Sequence, residues 1–262
     1  MKFKHLFILT GFVLISDFVS GQVVLEQNYK NDTSDFQNIR NKIKDQSIFL
    51  MLDSNNMDAY IKRSQLEYLL NNYKACISDM NEVLRISPNS ADAYCNLAMA
   101  NCFLKNYKEA LQQISKSIEL VPTYAMYYLN RGFIESENLD YKAAIADLDH
   151  AILLNPDYAK AYCNRGSAKH KLNMFEEAIA DYTKAMTLKA NYLEAIYNRG
   201  VSEFSLQDYD HAITDFNKAL ELEPALGVVE FYTYRGQAYE KKGDKVHAKL
   251  DFDKAEELKK IK

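Results

Sequence analysis

Tryptophan is absent from this chain of 262 residues, and only 4 prolines, 8 glycines and 4 cysteines are present. So few turn-forming residues argue against a sandwich or barrel of many short strands, and favour a mostly helical fold. Basic excess is also missing: 32 Lys and Arg face 36 Asp and Glu, a net charge of −4. That leaves no bulk positive field for nucleic acid or an anionic membrane surface. What is abundant is ordinary globular material, 48% hydrophobic and 26% charged, with 19 Tyr and 13 Phe, a balance that excludes disorder and collagen-like structure.

Long apolar runs are scarce. Basic Lys2 and Lys4 precede ten uncharged, mostly apolar residues from Leu6 to Ile15, and small Ser20 and Gly21 follow. This pattern reads as a secretory signal peptide over residues 1–21, since the run is too short for about 30 Å of hydrocarbon. Its removal takes away Lys2, Lys4 and Asp17, leaving −5. The expectation is an exported protein, periplasmic or secreted, with no membrane insertion after cleavage.

Self-similarity dominates the rest. Pro88, Pro122, Pro156 and Pro224 are spaced by 34, 34 and 68; Ala110, Ala144, Ala178 and Ala212 step by 34; Gly132, Gly166, Gly200 and Gly236 step by 34, 34 and 36. A fixed period is the mark of stacked supersecondary units. Six units follow, at 57–90, 91–124, 125–158, 159–192, 193–228 and 229–262, the last displaced by two residues inserted near Leu226 and Gly227. Each divides into two helical stretches around a short break. Aromatic residues at the fourth place (Tyr60, Tyr94, Tyr128, Tyr162, Tyr232, with Ile196) and the seventeenth (Tyr73, Tyr107, Tyr141, Phe175, Tyr209) are read as wedges between helices. Small residues at the eighth place (Ser64, Ala98, Gly132, Gly166, Gly200, Gly236) are expected to admit the small twentieth residue of the second helix. Gly costs roughly 1 kcal/mol in a helix, so its recurrence implies a close contact.

The spacing Tyr, Gly, Tyr, Ala, Ala, Pro resembles the tetratricopeptide repeat over residues 57 to about 258. The resemblance implies an all-α, right-handed solenoid of six helix-turn-helix repeats. Residues 22–56 form an N-terminal segment, in which 34–53 read as a degenerate half-repeat or capping helix, with Ser34 and Gln37 as a capping box.

Charge recurs in phase as well. Arg at the seventh place accompanies Asp at the twenty-third: Arg63 with Asp79, Arg131 with Asp147, Arg165 with Asp181, Arg199 with Asp215, Arg235 with Asp251. The second unit has Leu97 and Gln113, losing both together. Structural ion pairs within each unit follow, because pairing between units would strand Asp79 and Arg131.

The resemblance places a binding groove along the first helices, on the concave side. Its expected lining is Ile61, Gln65, Tyr68, Cys95, Met99, Cys102, Leu129 and Phe133, then Lys160, Cys163, His170, Tyr197 and Phe204. A row of carboxamides, Asn96, Asn130, Asn164 and Asn198, runs through it. Asn donates and accepts, so such a row suits the backbone of an extended peptide; filling gaps between helices is the other reading. The Lys and Asn that clamp a C-terminal carboxylate in some of these repeats would be needed at Ile61 or Cys95 and at Gln65 or Met99, and they are absent.

Motifs for chemistry are missing. His150, His170, His211 and His247 lack metal-ligand spacing and read as solvated surface residues, and there is no GxxxxGK[ST], GxGxxG or GxSxG. No enzyme activity, metal or cofactor is expected. Cys76 takes the twentieth place and reads as a buried small residue; Cys95 and Cys102 lie seven apart on one helix, too far for a disulfide. The expected function is a protein–protein interaction scaffold that binds a peptide or partner protein. Self-assembly into a cell-envelope structure is the alternative.

Overall fold

The computed structural model describes residues 33–222 and 229–261. The signal-peptide reading, the start of the N-terminal segment, Pro224 and the two-residue insertion lie outside them.

Among the described residues the chain forms thirteen helices and no strand. They are α1 (Thr33–Leu52), α2 (Met57–Leu69), α3 (Tyr73–Ile86), α4 (Ala91–Phe103), α5 (Tyr107–Leu120), α6 (Ala125–Glu137), α7 (Tyr141–Leu154), α8 (Ala159–Lys171), α9 (Phe175–Leu188), α10 (Leu193–Ser205), α11 (Tyr209–Leu222), α12 (Val229–Lys241) and α13 (Lys245–Ile261). From α2 onward, a helix of 13 residues alternates with a longer one, and α2–α3, α4–α5, α8–α9, α10–α11 and α12–α13 pack as hairpins.

The same turn follows every first helix from α2 onward. After α2, Asn71 takes φ 58°, its N–H reaching Tyr68 O while Asn72 N–H reaches Glu67 O. These two bonds satisfy the last carbonyls of the helix in the manner of a Schellman turn. Lys105, Leu139, Asn173, Gln207 and Gly243 take the same left-handed conformation at the equivalent place. Only one of the six is glycine, so five turns carry a side chain where backbone sterics disfavour it.

The described residues group into two compact bodies, 33–140 and 141–261. In the first, Met80, Val83, Ala93 and Leu97 form one apolar cluster, and Cys95, Ala98, Met99, Cys102, Ile114, Phe133 and Ile134 belong to another. Helix α4 packs against α3, α5 and α6. Its sequence ADAYCNLAMANCF has one charged residue, and it is buried nearly all round. In the second body, Cys163, Ala178, Tyr182, Ala185 and Ala195 form one cluster, and Ile196, Tyr197, Ala212, Phe216, Ala219 and Phe231 form another.

Two local expectations are corrected. Helix α1 begins at Thr33, so Ser34 lies inside it and not ahead of it. The close contact at the eighth place comes from the twentieth residue in the first unit, where Cys76 Sγ donates to Ser64 O at 3.2 Å, but from the twenty-fourth where the eighth is Gly166, Gly200 or Gly236. A Cβ on Gly166 would stand 2.9 Å from the Tyr182 ring, one on Gly200 3.0 Å from Phe216, and one on Gly236 2.8 Å from Phe252. In those units glycine makes room for an aromatic ring. Where the twenty-fourth residue is Met80 or Ile114, the eighth is Ser64 or Ala98.

Candidate functional site

Arginine joins the two helices in four of the hairpins. Arg63 donates from Nε and Nη2 to the two carboxylate oxygens of Asp79, at 3.0 and 2.6 Å. Arg165 with Asp181, Arg199 with Asp215 and Arg235 with Asp251 repeat this fork, at 2.5 to 2.9 Å. Planar guanidinium matches carboxylate in this way, and lysine does not. The aspartates are buried, so each needs its partner. Burial works against the charge of Arg165, but Asp181 and Asp149 hold its proton above the ordinary range. Arg131 lies in the first body and Asp147 in the second. The second unit substitutes a neutral network, in which Asn101 Nδ2 donates to Gln113 Oε1 at 3.0 Å and to Leu97 O at 3.2 Å.

The third guanidinium nitrogen does what the sequence reading missed. Nη1 reaches back to the second helix of the preceding unit: Arg63 to Ser47 at 3.2 Å, Arg131 to Ser115 at 3.5 Å, Arg165 to Asp149 at 2.5 Å, Arg199 to Thr183 at 3.1 Å, and Arg235 to Asn217 at 2.6 Å. Each of these arginines therefore ties its own helix to the preceding unit, and four also show the fork to their own second helix. The signal was present: a short side chain with an acceptor oxygen stands sixteen residues before each Arg, or eighteen across the insertion. Tyr60, Tyr128, Tyr162 and Tyr232 lie under these guanidinium groups at 5.3 to 5.7 Å, so the fourth-place aromatics carry a cation as well as packing.

The expected groove residues divide by burial. Ile61, Gln65 and Tyr68 on α2 are half-buried, with Tyr68 edge-on to Tyr73 and Phe103. Cys95, Asn96, Met99, Cys102, Leu129, Asn130 and Phe133 are buried, none more than 9% exposed. The physical reason is that α4 is apolar and enclosed by its neighbours, and that α6 packs its Leu129, Asn130 and Phe133 inward, so the open lining expected of these seven is corrected to packing. Burial pushes the Cys76, Cys95 and Cys102 thiols up to about 12 and raises Cys163 well above its ordinary value, so all four cysteines are unreactive free thiols. On the second body Cys163 and Tyr197 are buried, while Lys160, Asn164, His170, Asn198 and Phe204 are half-buried.

The carboxamide row is weakly engaged. Asn96 Nδ2 is 3.5 Å from Met80 Sδ, and Asn130 Nδ2 is 3.2 Å from Cys95 Sγ, both poor acceptors. Asn164 Nδ2 is buried with no hydrogen-bond partner. His170 departs from the solvated reading: Nδ1 lies 2.8 Å from Ser202 Oγ, whose proton goes to Asn198 O, and burial lowers its pKa. His211 and His247 are exposed and bond Asp208 and Asp244 at 2.7 and 2.6 Å. Glu194, on the same face as Asn198, is pushed up to about 7 by burial, with Lys160 pulling the other way. Among the described residues no group of His, Cys, Asp and Glu is arranged to hold a metal ion, and no helix is long and apolar enough to cross a membrane.

Comparison with known proteins agrees with this geometry. A tetratricopeptide repeat model matches residues 159–192 and 193–226, and a second one matches 80–112. No match to this chain is found among the curated proteins. Among solved structures, MamA is 25% identical with a TM-score of 0.58, the match covering 63% of this chain and 95% of MamA. YrrB, described as a TPR protein with an unusual peptide-binding site, is 19% identical with a TM-score of 0.51, covering 69% and 93%. PilW, described as a type IV pilus biogenesis factor, is 16% identical with a TM-score of 0.69, covering 74% and 90%. Helical hairpins on a 34-residue period, together with these matches, show that the chain carries tetratricopeptide repeats, matched over 80–112 and 159–226.

Proposed function

We propose that this protein is a non-catalytic scaffold, exported from the cell that makes it, and that α8 and α10 hold an extended segment of a partner protein. The observation that carries the reading is the idle donor capacity of Asn164, which has a buried N–H group with no acceptor. A buried donor left unmade costs about 1–3 kcal/mol, so a peptide carbonyl arriving there recovers more than an ordinary surface contact. The half-buried His170 on α8 and Phe204 on α10 supply apolar flanks for side chains on either side of such a backbone. Panning a displayed peptide library against the full chain tests this. Enriched peptides should lose most of their binding to Asn164→Ala, and retention of full binding by that variant would exclude the carboxamide role.

Self-association is a second reading, favoured by one feature. Ile48, Phe49, Met51 and Leu52 on α1 are 51% to 84% exposed, a contiguous apolar tip. Light scattering across concentration separates the two readings: mass that grows with concentration in the native chain, and not in the Phe49→Lys, Met51→Lys double variant, supports self-association.

A further inference from the structure

Glu203 on α10 is 8% exposed, and its Oε2 is buried with no hydrogen-bond partner. Its other oxygen is 3.8 Å from Arg199 Nε, too far for a hydrogen bond. Arg199 has no edge left to offer: Nε and Nη2 serve Asp215 at 2.7 and 2.8 Å, and Nη1 serves Thr183 of α9. In the preceding unit the same place holds Lys169, whose Nζ lies 2.7 Å from Asp181 Oδ2. One unit thus sets a cation beside its Arg–Asp pair, and the next sets an acid there.

The other ionisable groups around Glu203 do not neutralise it. On α11, Asp215 is like-charged and His211 is held by Asp208 at 2.7 Å. Asp208, on the turn, adds a further negative charge. Lys242, beyond α12, is bonded to Asp210, and α9 contributes the neutral Thr183. We infer that Glu203 is a proton-controlled latch on the α10–α11 hairpin: protonated, it packs beside the Arg199–Asp215 pair, and ionised, it sets a second negative charge against one guanidinium and loosens the hairpin.

Burial first, and Asp215 second, push this carboxyl up from 4.5 to about 7, against the pull of Arg199 and His211. A folded-state pKa above the unfolded one means the hairpin binds the proton more tightly than the unfolded chain does. Its stabilisation is complete below about 4.5 and is lost as pH rises through about 7.

Amide exchange on the full chain, corrected for intrinsic rates, tests this together with a carbon-13 titration of the Glu203 carboxyl. From pH 5.5 to 8.5 the opening constant of α10–α11 amides should rise roughly tenfold or more in the native chain relative to Glu203→Gln. Glu203→Lys, which copies the Lys169 arrangement, should lack the extra rise too, and the carboxyl should titrate near neutrality. Identical pH profiles for the native chain and Glu203→Gln, or titration near 4.5, would overturn the inference.

Discussion

Arg63 Nη1 donates to Ser47 Oγ at 3.2 Å, joining α2 to a helix that has no first-helix partner of its own in the described residues. The bond puts Ser47 in the place that Ser115, Asp149, Thr183 and Asn217 fill before the later arginines. Helix α1 is thus in register with the second helices of the repeats, which is what a half-repeat requires. Loss of Ser47 tests the register: Ser47→Ala should cost about 1 kcal/mol, the worth of one hydrogen bond to a charged donor, seen as a lower denaturation midpoint.

The Arg235–Asp251 fork is a geometric device more than a source of net stability. Arg235→Ala strands Asp251, which is 4% exposed, and should destabilise by about 3 kcal/mol in urea titration. Replacing both, Arg235→Met with Asp251→Leu, should recover most of that loss, because no charge is then buried alone.

Gly166 faces the ring of Tyr182. Gly166→Ala should destabilise by about 1–3 kcal/mol despite its better helix propensity, since a Cβ there meets the ring at 2.9 Å. With Tyr182→Leu, which copies the smaller residue of other units, the combined loss should fall below the sum of the two single losses. An additive cycle would show that the ring is not the obstacle.

Leu139 takes φ 65° and is 72% exposed, so it carries strain and gains nothing from burial. Leu139→Gly, which copies Gly243 at the equivalent turn, should raise stability by about 1 kcal/mol and lift the melting temperature.

Much of this was legible in the sequence. The 34-residue period, the helical pairs and the Arg–Asp spacing are patterns of residue type, and helical hairpins with the Arg63–Asp79 fork are what the structure contains. Contacts whose partner residue varies were not legible. The acceptor for Nη1 is Ser, Asp, Thr or Asn in different units, so no single letter recurs. The ring over Gly166 was missed because the small twentieth residue recurs more regularly than the aromatic twenty-fourth. Burial of Met99 on α4 and Phe133 on α6 depends on how closely these helices are enclosed, a property of several helices together. His170 looked solvated because its Ser202 partner lies 32 residues away.

Nitrogen-15 spectra of the side-chain carboxamides, recorded as a peptide selected by panning is added to the full chain, test the interaction reading most directly. The resonances of Asn164 should shift and saturate with the bound fraction. Saturable binding that leaves Asn164 unmoved, while residues of the second helices shift, would contradict the account.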